Sequence, residues 1–150
     1  MTFENLVRIG SLEPHKSTPA EIGRLLSAGQ RNLRDAAIKD ISPETRFDVA
    51  YKVVMQSALA ALIANGYRPV TSAPGHHATV IQSLPQTIGL ANETRILLDK
   101  LRRMRNASDY SGEGISEEEA AACLRAGTAL LRDVEEWLRK NRPDLMASGR

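Results

Sequence analysis

The residues most able to do chemistry together lie in one short stretch, residues 100–112. Three arginines fall within four positions there, at Arg102, Arg103 and Arg105, and an Asn, an Asp and a Tyr follow them. The planar fork of N–H donors on arginine can bind two phosphate oxygens at once, and Asn and Asp side chains can read the edge of a base. The combination therefore points to a site for RNA or for a nucleotide.

The candidate nucleotide- or RNA-binding residues are Arg102, Arg105, Asn106, Asp109 and Tyr110. We expect an amphipathic helix to end within this stretch and a polar loop to follow. Arg105 and Asp109 are four positions apart, so they share a face if the helix continues that far. A turn after Asp109 would leave the Tyr110 hydroxyl beside the guanidinium. Catalytic residues stay unknown at this stage, with Arg105 and Tyr110 as the candidates.

The same stretch also has a purely structural interpretation. Cations near the C-terminus of a helix interact favourably with the helix dipole. An Arg–Asp pair and a tyrosine could then simply fasten the loop that follows the helix. In this interpretation the Tyr110 hydroxyl bonds to Asp109 or to a backbone carbonyl, and its ring packs on the last helix.

The composition is that of an ordinary soluble domain. Of the 150 residues, 25% are charged, 42% are hydrophobic and 4% are aromatic. One domain is expected from this length, and abundant Ala and Leu suit close-packed helices. The net charge of +2 is too small to argue for nucleic acid by itself. Charge is instead concentrated, with five bases and one acid in residues 95–105 and four acids and no base in residues 113–119.

Cysteine and histidine usage predicts neither a metal nor a cofactor. Cys123 is the single cysteine, which excludes an internal disulfide. His76 and His77 are adjacent and would point to different faces of a helix, while His15 is distant in sequence. No cluster has metal-ligand spacing. We expect His76 and His77 to be ordinary helix-start residues, although one could face the basic stretch.

The sequence also predicts a location in the cell. The first four residues include an acid and lead into no long apolar run, so no secretory signal is expected. No segment approaches the roughly 20 apolar residues of a membrane span. A soluble cytoplasmic protein is the expectation.

Helix-start signals divide the chain. Thr18, Ser42 and Ser116 can each cap a helix, and a Glu three residues after Thr18 and Ser116 can complete a capping box. Pro19 and Pro43 suit the first helical position. Helical spacing of apolar residues then predicts helices over 19–39, from 43 to Gly66, over 78–84, from Asn92 or Thr94 into the basic stretch, and from 117 to about 140.

The second of these helices is apolar on more than one face between residues 53 and 63. It is therefore either the central member of a bundle or half of a dimer interface. No alternating strand pattern and no internal repeat is present. The predicted fold class is all-α, an up-and-down bundle of four to five helices. We expect residues 1–17 to form a lead-in with a short docking turn, residues 18–142 the bundle, and residues 143–150 a frayed tail.

Three blocks of sequence resemble a known family. Residues 47–51 and 60–69 are similar to its second helix and to the Gly-x-Arg-Pro exit from it. Residues 75–81, with two histidines after a glycine, are similar to the Thr/Gly-His start of its next helix. Residues 105–110, Arg-Asn-Ala-Ser-Asp-Tyr, are similar to its Arg-x-x-Ala-Asp-Tyr segment. The chain therefore resembles a HEPN domain of the small prokaryotic type, over roughly residues 18–140.

The resemblance implies a HEPN-like helical bundle that pairs as a homodimer. It also implies a partner nucleotidyltransferase in a toxin–antitoxin type system. Active members of the family cut RNA without metal, using an Arg, a polar residue and a His four to six residues after the Arg. Arg105 matches the arginine and Asn106 the polar residue, but no His stands at the expected place. The resemblance further implies that the partner could add adenylate to Tyr110.

Three hypotheses follow. The first is a non-catalytic HEPN-like module that binds RNA, a nucleotide or a partner nucleotidyltransferase through the five candidate residues. The second is a metal-independent ribonuclease toxin in which Arg105 stabilises the phosphorane and another group transfers the proton. The third is a dimeric helical bundle with no ligand. No membrane partner is expected for any of them.

Overall fold

A computed structural model gives the structure of residues 2–146. These residues are mostly helical, as the sequence predicted. The elements are α1 (Phe3–Arg8), β1 (Leu12–Pro14), α2 (Pro19–Ala36), α3 (Pro43–Ala64), β2 (Tyr67–Pro69), α4 (His76–Gln82), α5 (Leu84–Ile88), α6 (Asn92–Ser111), α7 (Glu117–Asn141) and α8 (Pro143–Met146). The predicted frayed tail falls partly on residues 147–150, which lie outside the described range.

The three predicted N-caps form. The side-chain oxygens of Thr18, Ser42 and Ser116 each accept a hydrogen bond from a backbone N–H in the first turn of α2, α3 and α7. A complete capping box is present at the start of α7. The start of α2 differs, because the Glu21 carboxylate lies 2.8 Å from Nε2 of His15 instead of reaching back to the cap.

Helix α3 is the centre of the core. It packs against both α2 and α7, and its apolar residues are buried on several faces. The approach of α7 is close: a Cβ added at Gly127 would lie 3.2 Å from the Ala50 carbonyl oxygen. By length and composition alone α3 could cross a membrane, but most of its apolar stretch is buried inside the bundle. The chain itself therefore covers the apolar faces that the sequence left open to a dimer interface.

Two short strands were not predicted. β1 and β2 pair antiparallel, with Leu12 opposite Pro69 and Pro14 opposite Tyr67. Three residues are too few to show an alternating pattern, so the strands leave no recognisable signal in the sequence. The pair ties the lead-in to the exit of α3, and the ring of Phe3 in α1 stacks on Tyr67 at 4.7 Å. The predicted docking of the early apolar residues is thus confirmed.

The ends of three elements differ from the prediction. Helix α6 continues to Ser111 and ends at Gly112, whose φ of 72° suits glycine, so the suggested turn after Asp109 does not form. The third predicted helix, over 78–84, is replaced by two, because α4 ends at Gln82 and Pro85 lies in the first turn of a separate helix, α5. Residues 143–146, which the sequence assigned to the tail, form α8 and bury Leu145.

The loop between α6 and α7 is anchored. The backbone N–H of Ile115 donates to the Glu44 carboxylate of α3 at 2.9 Å, and Ile115 itself is buried. This hydrogen bond lowers the pKa of Glu44. The sequence suggested a flexible loop here, but the contact fixes the end of α6 relative to α3. That attachment helps to hold the candidate residues of α6 in one position.

Candidate functional site

The five candidate residues lie together on α6. Because the helix is continuous, positions 102, 105, 106, 109 and 110 follow the spacing of three and four that defines one helix face. All five line one open groove of about 520 Å³. The opposite side of this groove is formed by the residues that begin α4: Gly75, His76, His77 and Ala78.

Arg105 is the half-buried cation of the groove. Its guanidinium carbon lies 5.2 Å from the ring centroid of Tyr51 on α3, in cation–π geometry. Its Nε is 3.8 Å from a carboxylate oxygen of Asp48 and 3.8 Å from one of Asp109. Both distances are too long for hydrogen bonds. Within residues 2–146 we find no hydrogen bond from this guanidinium, so its N–H donors stay available to a ligand.

The two neighbouring arginines are bound differently. Arg102 donates to one oxygen of Asp99 at 2.9 Å, and Arg103 donates to the other at 2.9 Å. Burial raises the pKa of Asp99, but these hydrogen bonds outweigh it and lower the pKa overall. Arg103 faces a different cavity, beside Ile96. The three arginines of the sequence cluster therefore do not act alike, and Arg105 is the one without a close acceptor.

Two carboxylates flank Arg105, and one of them was not predicted. Asp109 comes from α6 itself, whereas Asp48 reaches the same nitrogen from α3. Burial raises the pKa of Asp48, and the negative charge of Asp109 adds to this, while Arg105 and Lys52 oppose it. Arg105 therefore lies between two carboxylates, of which Asp109 lines the groove and Asp48 lies beside it.

Tyr51 was predicted only as part of an apolar stripe. Its side chain is 2% exposed, and its hydroxyl is buried without a hydrogen-bond partner among the described residues. Burial raises its pKa to about 12, so the phenol stays neutral at physiological pH. An unpartnered buried hydroxyl costs about 1–3 kcal/mol, and such groups are uncommon in folded proteins. The ring of His77 lies 6.4 Å from the Tyr51 ring, which connects the three helices around the groove.

Both adjacent histidines lie in the groove, although at most one was expected to face the basic stretch. Their rings contact edge to face at 4.7 Å. Burial lowers the pKa of His77, and the charges of His76, Arg105 and Arg102 lower it further. His77 is therefore neutral at physiological pH. In the part of the chain that the structure describes, no group of three or more metal-ligating side chains occurs.

Tyr110 does not fasten a loop. Its side chain is 91% exposed, so the ring is not packed on α7. The helix also does not turn after Asp109, because it continues to Ser111. Within the described residues the Tyr110 hydroxyl makes no hydrogen bond. The structural interpretation of this residue is therefore wrong, and its ring and hydroxyl are free to meet a ligand or a partner.

Sequence reasoning missed Asp48 and Tyr51 for a physical reason. They are three positions apart on α3, so they share a face, but nothing in the sequence says which helix that face meets. Their role depends on the packing of α3 against α6. A tyrosine and an aspartate three positions apart, on one face of a helix that is largely apolar after Lys52, were the available signal.

Comparisons with known proteins add no assignment. No family model, no curated protein and no solved structure matches this chain. The HEPN resemblance therefore rests on the three blocks of sequence alone, at residues 47–69, 75–81 and 105–110.

Proposed function

We propose that the groove binds the phosphate of RNA or of a nucleotide, and that the chain is a HEPN-like binding module. The observation that carries the proposal is Arg105. Its guanidinium lines an open groove and lies over the ring of the buried Tyr51, and no close acceptor among the described residues occupies its donors. A pre-positioned arginine with free donors is the group that binds phosphate in two-point geometry.

The remaining groove residues suit the rest of a nucleotide. The ring of Tyr110 is 91% exposed and can stack on a base. The exposed amide of Asn106, one residue after Arg105, can donate to and accept from a base edge. Arg102 lines the same groove and adds positive charge, although Asp99 already binds its Nε.

A second candidate function is metal-independent cleavage of RNA. One observation favours it: His76 and His77 supply, from α4, the imidazoles that the α6 motif lacks. Because the pKa of His77 is lowered, this side chain is a neutral base at physiological pH. The resemblance placed the histidine on the same helix as the arginine, whereas here the two groups come from facing helices.

The chemistry of that candidate is simple to state. His77 would take the proton from a ribose 2′-hydroxyl while the 2′-oxygen attacks the adjacent phosphorus, and Arg105 would stabilise the phosphorane. The bond from phosphorus to the 5′-oxygen would break, and that oxygen would receive a proton from His76 in its protonated form or from water. The products would be a 2′,3′-cyclic phosphate and a 5′-hydroxyl.

Assembly belongs to the proposal as well. With α3 covered by its own chain, α6 offers two adjacent exposed aliphatic residues for a homodimer, Ile96 and Leu97, which are 50% and 46% exposed. We propose a cytoplasmic homodimer that pairs through this helix, with a nucleotidyltransferase of a toxin–antitoxin type system as its partner. Light scattering that shows a monomer across the micromolar range would contradict the dimer.

The binding proposal is tested with purified protein and a fluorescent single-stranded RNA of mixed sequence. We expect Arg105→Ala to weaken binding about tenfold or more, since a charge-assisted contact is worth about 1.5–3 kcal/mol. Arg103→Ala is the matched control, because it removes the same charge from the same helix but faces another cavity. Equal losses of affinity in the two variants would show that only surface charge matters. A gel of total RNA incubated with wild type and with His77→Ala tests the cleavage candidate.

A further inference from the structure

The position of the two carboxylates suggests what kind of anion the groove accepts. Asp48 and Asp109 come from different helices and approach the same nitrogen of Arg105, each at 3.8 Å. Their side chains are 49% and 47% exposed, so both stay open to a ligand. A phosphate that binds Arg105 must enter beside two negative charges, which repel it.

Asp48 and Asp109 do not hold the Arg105 side chain by hydrogen bonds. Asp99 does bind arginines in this way, because its carboxylate oxygens accept hydrogen bonds from Arg102 and Arg103 at 2.9 Å. Asp48 and Asp109 stay about an ångström further from Arg105 and keep acceptor capacity for other donors. Arg105 is held from below by the Tyr51 ring instead.

We propose that Asp48 and Asp109 make the groove selective for nucleotide units over bare polyphosphate. A ribonucleotide carries hydrogen-bond donors near its phosphate, namely the ribose hydroxyls and, in three of the four bases, amino groups. Such donors convert the repulsion by a carboxylate into a hydrogen bond. A tripolyphosphate chain carries more negative charge per phosphate than RNA and has only a terminal P–OH as a donor at neutral pH. Repulsion of the wrong ligand is a common source of specificity. This inference rests on the proposed binding function.

The other charged and titratable side chains near the two carboxylates come from α3, α4 and α6. Lys52 and Arg105 act on Asp48 from α3 and α6. Arg102 lines the groove from α6, and His76 and His77 line it from α4. Burial raises the pKa of Asp48, and the nearby negative charge of Asp109 raises it further, because like charges this close repel each other. Ligand donors would relieve that repulsion.

The experiment compares two probes, tripolyphosphate and a short single-stranded RNA of mixed sequence, on three Asp variants. Asp48→Asn removes the charge and keeps an acceptor oxygen, while Asp48→Ala removes both. We expect both to bind tripolyphosphate about two- to fivefold more tightly, as expected for removal of one partly exposed like charge. We expect Asp48→Ala, but not Asp48→Asn, to lose affinity for RNA relative to tripolyphosphate. Asp133→Asn on α7 is the control for net charge, and it should leave the affinity for RNA relative to tripolyphosphate unchanged.

A DNA strand of the same sequence identifies the donor. If Asp48→Ala lowers the affinity for RNA but not for DNA, the ribose 2′-hydroxyl is the partner of Asp48. If it lowers the affinity for both strands, the partner is a base amino group. Either result supports the proposal. Equal gains in affinity for RNA and tripolyphosphate in both Asp48 variants would overturn it. That outcome is distinct from failure of the binding function itself, which would appear as unchanged RNA binding in Arg105→Ala.

Discussion

Arg105 lies over the ring of Tyr51, with its guanidinium carbon 5.2 Å from the ring centroid. The two residues come from α6 and α3, and of the two only Arg105 lines the groove. A cation over an aromatic face is worth about 0.5–2 kcal/mol, depending on how far it is removed from water. The contact fixes the direction of the Arg105 side chain, which makes no hydrogen bond to any described residue. Its N–H donors therefore stay available to a ligand.

The first prediction separates the ring of Tyr51 from its hydroxyl. Tyr51→Phe keeps the ring and removes a buried hydroxyl that has no partner among the described residues. We expect the free energy of unfolding to stay the same or rise by about 1 kcal/mol, with RNA binding retained. Tyr51→Leu removes the ring, and we expect it to weaken binding several-fold. Urea unfolding and fluorescence anisotropy measure the two effects.

A control distinguishes removal of the ring from a general loss of packing. Phe47 is one turn before Tyr51 on α3 and is 1% exposed, so Phe47→Leu makes a similar cut in the core. It should reduce stability without changing the affinity of the folded protein for RNA. Weaker binding by Phe47→Leu than by Tyr51→Leu, at equal folded fraction, would contradict the role of the Tyr51 ring.

The second prediction concerns the packing of α7 on α3. A Cβ at Gly127 would lie 3.2 Å from the Ala50 carbonyl oxygen and 3.3 Å from Cβ of Val53. Neither atom can move without the backbone, so we expect Gly127→Ala to destabilise the fold by about 1–3 kcal/mol through overpacking. At Gly29 the nearest atoms belong to the flexible end of Leu131, at 3.4 Å. Gly29→Ala should be neutral or stabilising by up to about 1 kcal/mol. Thermal unfolding of both variants tests the difference.

The third prediction concerns pH. The folded protein holds the pKa of His77 below its ordinary value of 6.5, so the folded state binds fewer protons than the unfolded state. The protonation of His77 therefore does not affect the free energy of unfolding well above pH 6.5. It lowers that free energy as the pH falls through the window between 6.5 and the lower folded pKa. His77→Gln cannot take up the proton. We expect the thermal midpoint of wild type to fall relative to His77→Gln in that window, and a constant difference across it would refute the assignment.

The fourth prediction concerns Tyr110. Because its side chain is 91% exposed and its hydroxyl has no partner among the described residues, Tyr110→Phe should leave the thermal midpoint unchanged. If a partner nucleotidyltransferase modifies this residue, incubation with that partner and ATP should add the mass of adenylate to wild type and not to Tyr110→Phe. Modification of both proteins to the same extent would place the reactive hydroxyl elsewhere.

The helices could be predicted from sequence because their start signals are local. Thr18, Ser42 and Ser116 each satisfy a backbone N–H within the next three residues, so no tertiary contact is needed to recognise them. The end of α6 could not be placed in the same way. Residues 106–111 are mostly small or polar and have weak intrinsic preference for a helix. The helix continues to the first residue that can adopt a left-handed conformation without strain, Gly112.

The candidate site was predictable in part for the same reason. The five residues of α6 are close in sequence, and a helical spacing brings them onto one face. Asp48, Tyr51 and the two histidines reach them through the packing of α3 and α4 against α6, which the sequence does not specify. The difference between Arg105 and its neighbours is partly local, since Asp99 lies three and four positions before Arg102 and Arg103 on α6 and binds both. The contact of Arg105 with Tyr51 of α3 is tertiary and could not be predicted in this way.

The salt dependence of RNA binding tests the central claim most directly. If Arg105 binds phosphate, the slope of the logarithm of affinity against the logarithm of salt concentration should be negative for wild type. For Arg105→Ala it should be shallower by about 0.7 for each phosphate of a single strand that is no longer neutralised. Arg103→Ala should keep a slope close to that of wild type, because Arg103 faces another cavity. Equal slopes for wild type and Arg105→Ala would contradict a phosphate-binding role for the groove.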